Sequence, residues 1–115
     1  MVFEYAIEII ENTAIIGLKG ELMEKNQAIN LLEETQKLTD SGCNKWAIDM
    51  SELKYMNSNG LNTLIQLLTK ARKTGGETVL YNLNKKINEL ILITKLNTLF
   101  KVVETKDQAF KLLEP

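Results

Sequence analysis

Apolar and polar positions alternate at the start of the chain: Phe3, Tyr5, Ile7 and Ile9 are interleaved with Glu4, Ala6 and Glu8, the period of a strand with one buried face. Glu11-Asn12 offers a short turn, and Thr13 to Lys19 reads as the hairpin partner. Beyond Gly20 the period lengthens. Ala28, Leu31, Leu32, Thr35 and Leu38 recur at helical spacing, with Asp40-Ser41-Gly42 as the stop. Trp46-Ala47-Ile48 is a compact apolar run between polar residues and predicts a buried central strand ending near Asp49, with a short loop after it. From Leu61, the residues Leu61, Leu64, Ile65 and Leu68 line one helical face, while Asn62, Gln66, Lys70 and Lys73 line the other, up to Gly75-Gly76. Thr78 to Tyr81 is then a strand, and Ile87, Leu90, Ile91 and Thr94 mark a third helix. Lys101-Val102-Val103 is a last strand. A fourth helix opens on Thr105 with Gln108 three residues on, a capping-box pattern, and carries Ala109, Phe110 and Leu113 on its apolar face.

The resulting order, ββαβαβαβα, predicts an α/β fold. Strand and helix alternation after the opening hairpin calls for parallel strands joined by right-handed crossovers. A mixed, mostly parallel sheet with an N-terminal antiparallel hairpin and about four helices follows, as one domain over residues 1–115. In open sheets of this kind the working surface tends to lie beyond the carboxyl ends of the strands. The segment leading to Ser58 is at such an end.

Composition narrows the functions available. The 115 residues are 44% hydrophobic and 25% charged, average globular usage without a linker or low-complexity run. Fourteen basic against fifteen acidic residues leave a net charge of -1, far from the basic excess that phosphate neutralisation demands, so no direct nucleic-acid partner is expected. Apolar stretches are interrupted long before the ~20 residues that cross a bilayer, so no membrane partner is expected either. Met1-Val2-Phe3-Glu4 lacks the basic region and apolar run of a signal peptide, and Cys43 has no second cysteine to pair with. A cytoplasmic location is the expectation.

Histidine is absent, which removes Ser-His and Cys-His nucleophile pairs, most zinc sites and the usual general base near neutral pH. Neither a P-loop nor a Gly-x-Gly-x-x-Gly turn is present, and no catalytic, metal or cofactor residues are expected. Lys45 near Cys43 is a means of lowering a thiol pKa, but a lone cysteine beside a central strand reads as a small packed residue. Glu33-Glu34 diverge on a helix and read as a solvated face. Lys70, Arg72 and Lys73 complement a helix dipole without needing an anionic ligand. Trp46 and Tyr81 read as core. The chain is expected to be a binding module rather than an enzyme.

Met56-Asn57-Ser58-Asn59-Gly60-Leu61 stands apart, with three small polar residues and a glycine immediately before the strongest helical pattern. Asn59-Gly60 is a favoured hairpin turn in isolation, but helical periodicity follows it, so a helix start fits better. Asn57, Ser58 or Asn59 can each serve as the N-cap. A serine there is exposed at the working edge, and a helix N-terminus tolerates the added charge of a phosphate, about -1.5 to -2.

The segment Ile48 to Leu61, followed by Lys70-Ala71-Arg72-Lys73-Thr74-Gly75-Gly76-Glu77, resembles the STAS family of bacterial anti-sigma factor antagonists. Gly20-Glu21-Leu22 is similar to that family's Gly-Glu-Leu segment, and Ile91 to Leu96 with Leu99-Phe100 to its third helix and following turn. The resemblance implies a partner-switching protein controlling sigma-factor-dependent transcription. Its unmodified form binds an anti-sigma factor that is also a serine kinase, and phosphorylation breaks the complex. ATP and magnesium would belong to the kinase, and a separate serine phosphatase would restore the active form. The family's phosphorylated serine follows an aspartate in Asp-Ser-Ser/Thr-Gly-Leu, a position matched by Ser58. The partner-binding surface so implied comprises Glu21, Leu22, Asn57, Ser58, Asn59, Gly60 and Leu61, with Gly60 letting a partner approach the helix start. Two departures remove negative charge: Asn57 stands where the family has aspartate, and Met23 where an acidic residue often follows Gly-Glu-Leu. Asn59 replaces the second hydroxyl, leaving Ser58 as the motif's only phosphoacceptor. A constitutive scaffold of the same fold and a small-ligand sensor, using the βα edge or a pocket under the second helix, are the other readings.

Overall fold

The opening alternation folds into a hairpin in the computed structural model, which describes residues 2–114. Strand β1 (Phe3–Ile10) pairs antiparallel with β2 (Thr13–Leu22), from Phe3 opposite Gly20 to Ile10 opposite Thr13. Phe3, Tyr5 and Ile7 pack on the main core, and Glu4, Ala6 and Glu8 face solvent. The period-2 pattern thus assigns the faces as far as Ile7, whereas Ile9, expected on the buried face, is 55% exposed near the hairpin turn.

Strands β3 (Lys45–Met56), β4 (Glu77–Tyr81) and β5 (Lys101–Val103) extend the sheet in parallel, so that strand order equals chain order, β1-β2-β3-β4-β5. Between them run α1 (Ile29–Asp40), α2 (Ser58–Lys73) and α3 (Lys85–Ile93), with α4 (Lys106–Leu113) after the last strand. Short 3-10 helices precede α1 (Lys25–Ala28) and β5 (Leu96–Thr98). Because the sheet winds in one direction, right-handed crossovers put α1, α2 and α3 on a single face. Leu31, Leu64, Leu67, Ile87 and Ile91 accordingly share one core with Ile16, Trp46, Ile48 and Leu80. Helix α4 covers the other face, where Ala109 and Leu113 meet Ala47, Val79 and Tyr81. A strand order without reversal has no topological switch point, hence no crevice of the kind that binds ligands in doubly wound sheets.

The third strand does not end near Asp49 but continues to Met56, and the short loop expected after it is the single residue Asn57. Strand β4 stops opposite Asp49, so residues beyond it pair only with β2. Two register shifts there, between Gly17 and Lys19 and between Gly20 and Glu21, each place one extra residue on β3. Such bulges bend a strand and re-aim it. Ser51, Glu52 and Lys54 are exposed on this one-sided extension, which is why the segment looks too polar for a central strand. At the first bulge the Asp49 carboxylate accepts from Ser51 N–H at 3.0 Å. The extension brings Tyr55 beside Glu21 and Met56 beside Leu22, and thereby joins the ends of β2 and β3.

Candidate functional site

Helix α2 starts one residue after β3 ends, and Asn57 is its N-cap. Its Oδ1 accepts from Asn59 N–H at 3.0 Å and Gly60 N–H at 3.3 Å, and its backbone carbonyl accepts from Leu61 N–H at 3.0 Å. A cap of this kind contributes ~1 kcal/mol by satisfying N–H groups that have no intrahelical partner. Of the three candidate caps, the one that bonds is thus Asn57. Ser58 is the first residue of α2 and is exposed, flanked by half-buried Asn57 and Asn59. The first turn of α2 holds no acidic residue.

The segment after β2 lies alongside. Asn57 Nδ2 donates to the Met23 carbonyl at 3.0 Å, and Asn59 Nδ2 donates to the same oxygen at 3.0 Å. From the other side, Gln27 Oε1 accepts from Met23 N–H at 2.8 Å and Glu24 N–H at 2.9 Å, while Gln27 Nε2 donates to the Glu21 carbonyl at 3.1 Å. Residues 21–24 are therefore shaped by three side-chain amides. Glu21 is half-buried, whereas Leu22, Gly60 and Leu61 are buried. Leu22 and Leu61 belong to the main core, and Gly60 is packed against Leu22.

Gly60 is hemmed in by the chain itself. A Cβ there would stand 2.6 Å from the Leu22 carbonyl oxygen and 2.6 Å from Met56 Cβ. The close approach it permits is that of β2 to α2 within the chain. Gly20 has φ +95°, and a Cβ there would fall 2.0 Å from the Val2 carbonyl oxygen. Gly60 thus serves the junction of β2 with α2, and Gly20 the packing of β2 against the chain that leads into β1.

Sequence reading named Met23 only as a departure from a motif, and passed over Gln27. The signal for Gln27 was a glutamine three residues after Glu24 at a change of period, the same pattern recognised at Thr105 and Gln108. Elsewhere, Trp46 and Tyr81 are core residues, at 0% and 2% exposure. Burial pushes the Cys43 thiol up, against hydrogen bonding from Lys45 and Ala14 N–H groups that lowers it, which is not the environment of a reactive thiolate. Glu33 and Glu34 are exposed on α1. A groove of about 540 Å³ runs beside α2, lined among others by Leu32, Gln36, Ile65, Lys70 and Lys73. No helix among the described residues is long and apolar enough to cross a membrane.

Comparison with known proteins agrees with this geometry. The family model describing the STAS domain matches residues 4–109. A relative from Bordetella bronchiseptica, BtrV, bears an anti-sigma factor antagonist name and is 27% identical over 100 residues, covering 87% of this chain and 85% of its own. An anti-sigma factor antagonist structure from Thermotoga maritima superposes with a TM-score of 0.78 at 20% identity, covering 95% of this chain and 93% of that one. The Bacillus cell fate determinant SpoIIAA, solved in its phosphorylated form, gives 0.74 at 17% identity, covering 96% and 100%. At these identities the two structures attest the fold.

Proposed function

The chain belongs to the STAS domain family, and on that premise we propose that it is an anti-sigma factor antagonist that works by partner switching. In this reading the unmodified chain docks on an anti-sigma factor that is also a serine kinase and releases the sigma factor held there. Phosphorylation of Ser58 ends the complex, and a serine phosphatase reverses it. The observation that carries the reading is the exposure of Ser58 at the first position of α2, between two asparagines that tie the end of β2 to the helix start.

A phosphate on Ser58 is tolerated in the free chain and not in a packed interface. At the start of a helix lacking first-turn acids, a charge of about -1.5 to -2 meets the positive end of the dipole and does not disturb the fold. Inside a packed interface the same group brings repulsion and a desolvation cost. Charge then blocks docking and leaves folding intact. ATP and magnesium are the kinase's to bind.

Incubating the chain with its anti-sigma kinase and ATP is expected to add one phosphate, which mass spectrometry of peptides places on Ser58. No phosphate, or phosphate elsewhere, would sink the reading. A constitutive scaffold is the second reading, favoured by the neutral Asn57 in place of a carboxylate. It requires a Ser58→Asp variant to bind the anti-sigma factor as tightly as the parent, whereas the switch requires at least tenfold weaker binding, about 1.4 kcal/mol.

A further inference from the structure

The last ladder position of β2 is Leu22, opposite Met56, and the first helical turn begins at Lys25, so the Met23 N–H and carbonyl and the Glu24 N–H have neither sheet nor helix partners to define them. Side chains supply the definition. Gln27 is local, only a few residues downstream, and by itself fixes the shape of the turn but not where the turn sits. Pairing with Tyr55 and Met56 places Glu21 and Leu22; beyond the ladder, long-range position comes from two bonds, Asn57 Nδ2 and Asn59 Nδ2 to the one Met23 carbonyl oxygen, each 3.0 Å long.

The chemistry of these bonds is specific to amides. Asn57 Oδ1 is held by two helix N–H groups, which fixes the orientation of the carboxamide and points its NH₂ at Met23. An aspartate in its place would cap the helix equally well but, when ionised, has no proton to give and would set an anionic oxygen against a carbonyl. A serine or threonine in place of Asn59 is too short to reproduce the carboxamide. The two positions at which this chain departs from the Asp-Ser-Ser/Thr-Gly-Leu pattern are thus the two that converge on a single oxygen.

We propose that Asn57 and Asn59 are positioning residues of the docking surface: together they latch the Met23–Glu24 segment, where the chain leaves β2, to the start of α2, so that the surface around Ser58 is assembled before a partner arrives. What the surface is for rests on the anti-sigma factor antagonist reading. The latch is a property of the free chain. A latched segment spares a partner the cost of selecting a minor conformation.

Amide hydrogen exchange of the free full-length chain, followed by mass spectrometry, tests it. In Asn57→Asp at neutral pH, peptides covering residues 22–27 are expected to exchange about tenfold faster than in the parent at the same pH, the consequence of losing one net hydrogen bond and gaining a repulsion. As the pH is lowered through the carboxyl range, about 4, that ratio is expected to return toward one, because the introduced carboxyl, once protonated, again has a hydrogen to donate to Met23. Asn59→Ala, which leaves the cap untouched, should raise exchange in the same peptides with a ratio that does not change with pH. Peptides from the body of α2 serve as the folding control. Parent-like exchange over residues 22–27 in the Asn57→Asp, Asn59→Ala double variant would overturn the latch, since Gln27 would then suffice. A pH-independent ratio in Asn57→Asp would overturn it also, by assigning the effect to the helix start alone. Failure of Ser58 phosphorylation would leave these outcomes standing, so the latch and the functional reading are separable.

Discussion

Asparagine performs two tasks at once in this chain, and does so at two helix starts. Asn57 caps α2 through Oδ1 and reaches Met23 through Nδ2. Asn84 caps α3 by accepting from Ile87 N–H at 2.8 Å, and its Nδ2 donates to the Leu53 and Lys54 carbonyls at 3.0 and 3.1 Å. Those carbonyls belong to the part of β3 that β4 does not reach. In both places a cap doubles as a peg for backbone that lacks a strand beside it. Cap preference alone would have allowed serine or aspartate; the second bond requires the amide. The glycine beside the first cap gives a sharper stability test. Gly→Ala within a helix ordinarily stabilises by roughly 0.5–1 kcal/mol. At Gly60 the new methyl would lie 2.6 Å from the Leu22 carbonyl and from Met56 Cβ, and overpacking costs ~1–3 kcal/mol. Sterics should win. Gly60→Ala is therefore expected to lower the midpoint of urea unfolding, and an unchanged or raised midpoint would show that β2 gives way easily.

At the scale of elements, the far end of α2 is pinned by charge. Arg72 Nε lies 3.1 Å from Glu77 Oε1, Lys101 Nζ lies 3.5 Å from Glu77 Oε2, and Arg72 also donates to the Leu99 carbonyl at 3.0 Å. Helix α2 is thereby tied to β4, to β5 and to the turn between α3 and β5. Burial alone would raise the Glu77 carboxyl, but the Thr78 N–H, Arg72 and Lys101 outweigh it and hold the carboxyl below its ordinary value. A carboxyl depressed in the folded state contributes stability that is fully present above the unfolded pKa of about 4.5 and is lost as pH falls through the folded value. Acid unfolding should therefore steepen below about pH 4.5, and Glu77→Gln should flatten that limb while lowering stability at neutral pH. An identical acid limb in both proteins would mean that Glu77 does not carry it. The bulged extension of β3 belongs to this scale as well, because it brings Met56 to Leu22 and so places Asn57 and Asn59 within reach of Met23.

For the whole molecule, the one-way winding of the sheet settles which parts remain uncovered. Three helices fill one face, α4 covers β3 to β5 on the other, and the outward face of β1 is left to Glu4, Ala6 and Glu8. Two tyrosines bind the layers together and are hard to ionise as a result. Burial first, then donation to Glu34 Oε1 at 2.7 Å across to α1, pushes Tyr5 up to about 12. Burial, with Asp49 and Glu8 nearby, does the same to Tyr81, also to about 12. An acid whose folded pKa is raised contributes stability present below its unfolded value, near 10, and lost as pH climbs through the folded one. Stability is thus expected to fall between about pH 10 and 12, with tyrosinate absorbance from these two residues appearing only as the chain unfolds. Tyr5→Phe should weaken the pH dependence. In a Tyr55→Phe background, which removes the third tyrosine, tyrosinate absorbance rising ahead of the loss of helical signal would refute the assignment. What the linear sequence determined follows from local chemistry: the order of strands and helices from periodicity, the final cap from Thr105 and Gln108, the core status of Trp46 and Tyr81, and the exposed Ser58 at a helix start. What only the tertiary structure decided depends on partners distant in sequence. Strand β3 runs on to Met56 because β2, far earlier in the chain, pairs with it. Gly60 is glycine because Leu22 lies against it, and Asn57 and Asn59 are amides because the Met23 carbonyl lies within their reach. A strand paired on one side only, and a hydrogen bond between residues so far apart in the chain, leave no periodic trace in the sequence.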